Sequence, residues 1–278
     1  MTLLEVLQAT TDYFKKRGIE SPRLNAEHLL AFVLGRKRIE LYLEFERVLT
    51  EAELAPLRAA VQRRGQGEPL QHLLGTVEFC GNIFGCDKRA LVPRPETEEL
   101  IGLVEPRIRD QKGQIVDVGT GSGVIAITLA ARLAEAKIHA VDISDDALAL
   151  ARENAERLSL AQRIQFMHSD LLAGLAGTFD AIVANLPYVA QQDRSTLSRE
   201  VLHDPDVALF GGDQGDELIR RLIDQALNRL RPGGLLALEV GAGQAEPLSG
   251  FLRQKNYNDI ETERDYSGVP RFLFARYG

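Results

Sequence analysis

The sequence predicts an α/β fold, a mostly parallel sheet with helices on both faces, preceded by a small helical module. Three observations carry this expectation. From Ile115 onward, short apolar runs alternate with stretches of helical period, the signature of parallel strands joined by crossover helices. Residues 1–75 show the helical period alone. The last two apolar runs, Asp259–Asp265 and Arg271–Tyr277, are separated by only Tyr266-Ser267-Gly268-Val269-Pro270. That spacing is too short for a crossover, so the sheet is expected to end in an antiparallel pair.

A chain of 278 residues can bury a substantial core and is expected to form one large and one small domain. Its 45% hydrophobic and 26% charged content is that of an ordinary globular protein. No apolar run reaches the roughly 18 residues of a membrane span. Met1-Thr2-Leu3-Leu4-Glu5 enters an amphipathic pattern without a basic leader, which makes the cytoplasm the expected location. Charge is uneven: residues 1–75 hold 11 Lys/Arg against 10 Asp/Glu, and the remainder holds 22 against 30. An acidic larger portion argues against a nucleic-acid substrate. Lys15-Lys16-Arg17 and Arg36-Lys37-Arg38 fit solvated helix ends or a partner contact. The five histidines show no ligand spacing, so no metal site is expected.

Residues 1–75 read as a helical domain. Leu3, Leu4, Leu7, Thr11 and Phe14 mark a first helix ended by Gly18. Ser21 as N-cap and Pro22 at N1 open a second, with Leu24, Leu29, Leu30, Phe32 and Val33 as its apolar face. A short helix over 39–45 follows. Thr50 with Glu53 forms a capping box for a longer helix to about Arg64, and Glu68–Leu73 makes one further turn. Residues 76–88 read as a hairpin linker. A Gly81-Asn82 turn there pairs Cys80 with Ile83 and Cys86 with Val77, keeps both thiols free, and puts Val77, Phe79, Phe84 and Cys86 on one face. Residues 89–278 form the large domain. Pro95 opens its first helix, with Leu100, Leu103 and Val104 buried. Strands are expected near 114–118, 137–142, 162–168, 180–184 and 234–240, and helices near 123–133, 145–158, 216–231 and 243–254.

Four strand ends carry polar groups suited to chemistry. Gly119-Thr120-Gly121-Ser122-Gly123 joins the first strand to its helix, where glycines allow close backbone approach to a ligand or tight packing. Asp142 ends the second strand and is placed to take both hydroxyls of a ribose, because Ser144 already caps the helix that follows. Asp170 follows the third strand. It can accept from an exocyclic amine, with Leu171 covering the ring, or serve as an N-cap. Asn185-Leu186-Pro187-Tyr188 follows the fourth strand, and fits either a turn or a grip on a planar amide or amino nitrogen. Arg94, held between Pro93 and Pro95, fits a stiff pocket wall or a domain boundary. Ligands of open α/β sheets bind at the carboxyl edge, and all four strand ends lie there.

These residues together resemble a class I S-adenosylmethionine-dependent methyltransferase acting on a planar nitrogen. More narrowly, Leu91-Val92-Pro93-Arg94-Pro95-Glu96-Thr97-Glu98, the Phe-Cys-Gly-Asn-Ile-Phe hairpin, Ala208-Leu209-Phe210-Gly211-Gly212 and Ser267-Gly268-Val269-Pro270-Arg271 resemble the release-factor glutamine N5-methyltransferases. The resemblance implies a Rossmann-like seven-stranded sheet with an antiparallel C-terminal strand. It implies S-adenosyl-L-methionine held by Gly119, Thr120, Gly121, Ser122, Gly123, Asp142, Asp170, Leu171 and Asn185. Asn185, Leu186, Pro187 and Tyr188 would be catalytic and, with Arg94, would hold the substrate, the glutamine of the Gly-Gly-Gln loop of class I peptide chain release factors. The helical domain would grip that factor. A monomer is expected, with no membrane and no direct nucleic-acid contact. The family usually has Pro where this chain has Leu186, which keeps the backbone carbonyl but loses the fixed φ, so a less rigid loop is expected. Two other readings fit parts of the pattern. A nucleic-acid adenine N6-methyltransferase would use the same nitrogen grip, and a nucleotide-binding oxidoreductase or non-catalytic protein would need only the glycine loop and Asp142.

Overall fold

The structure, a computed structural model, describes residues 1–108 and 113–278. They form two compact units, Met1–Thr76 with Ser198–His203, and Val77–Leu197 with Asp204–Gly278. No helix among the described residues is long and apolar enough to cross a membrane.

The smaller unit consists of α1 (Leu3–Lys16), α2 (Pro22–Leu34), α3 (Arg38–Leu41), α4 (Glu51–Gly65) and α5 (Leu70–Leu74). At the start of α4 the Glu53 carboxylate accepts from the Thr50 N–H and hydroxyl, both at 2.9 Å. Ser21 occupies the N-cap of α2 but makes no side-chain cap bond, and its φ is +44°. Asn25 instead holds the preceding turn, donating from Nδ2 to the Glu20 and Ser21 carbonyls. The apolar faces also differ from expectation. Leu3, Val6, Leu7, Phe14, Leu29, Leu30 and Leu57 build the core, whereas Leu4, Leu24 and Phe32 are exposed. On α1, Leu3 rather than Leu4 falls in line with Leu7 and Phe14, so Leu4 turns outward. The short third helix stops at Leu41. Arg64 is buried with its donors used: Nε to Asn25 Oδ1 at 2.7 Å, one Nη to the Glu68 carbonyl, the other to Glu200.

The larger unit opens with the hairpin β1 (Thr76–Phe79) and β2 (Asn82–Gly85), then α6 (Pro95–Ile108). The turn is Cys80-Gly81, both at positive φ, one residue earlier than the sequence suggested. Phe79 and Phe84 are buried edge to face at 5.9 Å. Asn82 Nδ2 donates to the Cys80 carbonyl at 3.3 Å, a bond that closes the turn around Gly81. Both thiols are free.

The sheet strands and their crossovers follow: β3 (Gln114–Val118), α7 (Val124–Arg132), β4 (Lys137–Asp142), α8 (Asp145–Arg157), β5 (Ile164–His168) and β6 (Phe179–Asn185). A small excursion contains β7 (Val189–Ala190), α9 (Asp206–Leu209) and β8 (Phe210–Gly212). The chain ends with α10 (Glu217–Ala226), β9 (Leu230–Glu239), α11 (Ala245–Gln254), β10 (Tyr257–Arg264) and β11 (Pro270–Tyr277). The seven-stranded order is β10-β11-β9-β6-β3-β4-β5, parallel except for β11, which runs antiparallel to both β9 and β10. The expected antiparallel close is present.

Alternation along each strand builds two cores. Ile115, Ala181, Val183, Leu235, Ala237, Phe272 and Phe274 face one cluster, with α6 and α7. Val116, Val118, Ile182, Ala184, Leu236, Leu238, Leu273 and Ala275 face the other, with α10 and α11. Both faces are covered, as a parallel sheet requires. From β3 the chain steps outward through β4 to β5, then returns to add β6 on the opposite side of β3. The order therefore reverses between β3 and β6, which opens a crevice at their carboxyl ends.

Candidate active site

That crevice is a cavity of about 270 Å³. Its wall includes Gly119, Thr120, Gly121 and Ser122 after β3, Asp142 after β4, Asp170 and Leu171 after β5, and Asn185, Leu186 and Pro187 after β6. Arg94 and Thr97, at and just inside the start of α6, complete it. A groove of about 370 Å³ in the smaller unit, between α1 and α4, is mostly apolar and gathers no such polar set.

The glycine loop is organised by a buried carboxylate. Asp117 Oδ2 accepts from the Thr120 hydroxyl at 2.6 Å and the Ala126 N–H at 3.1 Å, tying the end of β3 to the first turn of α7. Its Oδ1 is buried without a hydrogen-bond partner. Burial pushes the Asp117 carboxyl up to about 7. Gly119 has φ +72°, and a Cβ there would stand 2.8 Å from Leu186 Cδ2. Gly123 differs in role. It is not on the cavity wall, and a Cβ there would meet Ile127 at 2.9 Å and Ala151 at 3.1 Å, so it serves the packing of α7 on α8.

Asp142 accepts from the Gly121 N–H and the Ser144 N–H, each at 2.9 Å. Burial raises its pKa, opposed by those backbone bonds. Ser144 caps α8 by accepting from the Ala147 N–H, so Asp142 is not needed as the cap. Asp170 does not cap a helix either; it pairs with Arg221 of α10 at 2.6 Å, and both line the cavity. Leu171 is buried at φ +52°. Arg94 donates to Asp204 Oδ2 at 2.9 Å, and Asp204 Oδ1 accepts from the Val92 N–H. The stiff Pro-Arg-Pro segment is thus pinned to a buried carboxylate.

The tetrapeptide is held from behind. Asn185 Nδ2 donates to Thr97 Oγ1 at 2.9 Å, and Thr97 donates in turn to Glu239 Oε2 at 2.8 Å. Glu239 ends β9 beside Asn185, its register partner. Burial pushes Glu239 up to about 7, against the pull of the Thr97 bond and of Arg271. Leu186 is buried among the core residues of the second face, a contact that offsets the φ restraint lost with proline. Tyr188 lies off the cavity wall and its carbonyl accepts from Gln244 Nε2 at 3.0 Å. Burial pushes its hydroxyl up to about 12.

The PrmC N-terminal domain family matches residues 5–75, and the methyltransferase small domain family matches residues 97–212. A release factor glutamine methyltransferase of Rhodopirellula baltica is 40% identical over 98% of this chain and 95% of its own length. The protein of the same name from Deinococcus radiodurans is 41% identical over 99% of each. The chain belongs to the release factor glutamine methyltransferase family. Solved structures similar to it include a methyltransferase from Pyrococcus furiosus, with TM-score 0.54 and 20% identity over 70% of this chain and 88% of that one. Another is the 16S rRNA N2 G1207 methyltransferase of T. thermophilus in complex with AdoMet and guanosine, with TM-score 0.52 and 22% identity over 73% and 50%. At such identities the likeness speaks for the fold.

For this member of the release factor glutamine methyltransferase family, reading the sequence by strand ends missed Glu239 and Arg221. Glu239 had a signal: a single acid closing the apolar run Leu235-Leu236-Ala237-Leu238. Arg221 had none, since its tie to Asp170 depends on how α10 packs.

Proposed function

We propose that this chain transfers the methyl group of S-adenosylmethionine to the side-chain amide nitrogen (N5) of the glutamine in the Gly-Gly-Gln motif of class I peptide chain release factors. One observation supports this above all. Asn185 spends its Nδ2 on Thr97 while standing on the cavity wall, which leaves its carbonyl oxygen as the group available to an amide N–H.

The cavity fits the methyl donor in its chemistry. Asp142 can accept from ribose hydroxyls, Gly119 has no Cβ to obstruct backbone approach, and Leu171 offers an apolar surface to a base. S-adenosylmethionine would supply a methyl group activated by the sulfonium: the sulfur–methyl bond breaks as the nitrogen–methyl bond forms, a neutral thioether leaves, and the nitrogen gives up one proton to solvent. A glutamine amide nitrogen is a poor nucleophile, because its lone pair is shared with the carbonyl. The Asn185 oxygen and the Leu186 backbone carbonyl accept its two N–H bonds and so favour the positive charge that grows on nitrogen. Pro187 stiffens the loop and Tyr188 packs beside it. Arg94 walls the substrate side. The helical unit grips the release factor, and the enzyme works as a monomer in the cytoplasm.

Incubating the protein with S-adenosylmethionine and a purified release factor, then mapping the modified peptide by mass spectrometry, tests this. The expected product is a singly methylated glutamine. Methyl transfer to RNA and none to protein would overturn the proposal. Asn185→Ala should lower kcat by roughly 100-fold or more, while cofactor affinity changes by less than about tenfold.

A further inference from the structure

We infer that Thr97 and Glu239 are positioning residues for this reaction: they form a buried relay that fixes which end of the Asn185 amide faces the substrate. The inference rests on the proposed role of Asn185 and extends it to the two side chains that stand behind its amide nitrogen.

An asparagine side chain is nearly symmetric in shape, so only its hydrogen-bond partners decide which way it points. Thr97 is 2% exposed and Glu239 is 1% exposed, so solvent water does not substitute for either partner. Thr97 has one hydroxyl proton. Above about pH 7 Glu239 is ionised and can only accept, and at 2.8 Å it takes that proton. The Thr97 oxygen is then left with lone pairs alone. The group facing it at 2.9 Å must be a donor, which is Asn185 Nδ2. The Asn185 oxygen therefore turns to the opposite side. Reversing the amide would set its oxygen against the Thr97 oxygen with no proton between them.

The relay also acts on the strength of that oxygen. Donation from Nδ2 into a hydroxyl that itself leans on a carboxylate draws electron density through the amide toward Oδ1, since linked hydrogen bonds polarise one another. Oδ1 becomes a better acceptor as the substrate nitrogen gains positive charge. Burial and Glu96 oppose the charged form of Glu239, whereas Thr97, Arg271 and Asn185 favour it.

Two substitutions separate this role from simple packing. In Glu239→Gln the new amide can donate to the Thr97 oxygen, which frees the Thr97 proton for Asn185 Oδ1 and turns Asn185 over. Thr97→Val keeps the shape of the side chain and removes the hydroxyl. Each should lower kcat by roughly 100-fold, as for loss of one preorganised polar contact, with cofactor Kd changed less than about threefold. Thr97→Ser should restore turnover to within about fivefold of the original, on the grounds that it returns the same hydroxyl. A second readout is independent of activity. The Asn185 side-chain amide signal in a nitrogen–proton NMR spectrum, assigned by its loss in Asn185→Ala, should shift and exchange faster in Thr97→Val but not in Thr97→Ser. If Glu239→Gln and Thr97→Val turn over normally while Asn185→Ala is inactive, the relay is wrong and the proposed reaction stands. An unchanged Asn185 signal in Thr97→Val overturns the relay whatever the activity. If the unmodified enzyme methylates no release factor but the signal responds as described, the reaction is wrong and the relay stands. Should Glu239→Gln fail to fold, the Thr97→Val and Thr97→Ser pair decides alone.

Discussion

Leu186 replaces a φ-fixing proline with a side chain that is only 3% exposed. The sequence alone suggested a looser loop at this point, because local rules price the lost φ restraint but not a long-range contact. Burial changes the balance: a fully buried leucine contributes roughly 1.5–3 kcal/mol, more than the conformational freedom that a proline would remove. Leu186→Ala should therefore destabilise the larger unit by about 2–4 kcal/mol, read as a lowered thermal midpoint. A loss under about 0.5 kcal/mol would mean that the side chain is not seated in the core. Asn185, Asp142 and Gly119 were legible for a different reason. Each sits at a strand end, and strand ends are marked in sequence by the sudden stop of an apolar run.

The turn from β3 into α7 shows what an element needs beyond its own residues. Asp117 closes it by accepting from Thr120 and Ala126, yet carries an unpartnered buried oxygen. The sequence showed an acid in an apolar strand, but not that the sheet would desolvate it completely. Its carboxyl rises from an ordinary 3.8 to about 7 in the folded chain. Below pH 3.8 the group is protonated in both states and carries no penalty. As pH climbs, the unfolded chain ionises first, so unfolding is increasingly favoured until the folded group ionises as well near pH 7. Relative to Asp117→Asn, the cofactor-free protein should lose about 4 kcal/mol across that window. Urea unfolding of both proteins at several pH values measures the difference, and parallel curves would refute it. The hairpin makes the complementary point. The expected Gly81-Asn82 turn and the observed Cys80-Gly81 turn both set Phe79 and Phe84 on one face, so the apolar pattern did not fix the turn.

On the scale of the whole molecule, the apolar periodicity conveyed the seven strands, their alternation with helices and the antiparallel close. Each of these follows from local period and spacing. The choice of inward face on α1 and α2 did not, because adjacent apolar residues compete and packing decides between them. The two units have separate cores, and every residue of the 270 Å³ cavity belongs to the larger one. Cofactor at 100 times its Kd should stabilise the unit that binds it by about 2.7 kcal/mol. Calorimetry should show the larger unit's transition moving upward while that of the helical unit stays in place; equal shifts in both would contradict this. The close approach of Leu186 to Gly119 has a thermodynamic corollary. In the proposed roles, the residue whose carbonyl would receive the acceptor amide leans on the loop that would receive the methyl donor, so the two ligands would share a wall. Whatever displacement of that wall one ligand causes, the other must feel. Linkage makes the effect reciprocal: the factor by which the donor alters affinity for the release factor is the factor by which the release factor alters affinity for the donor.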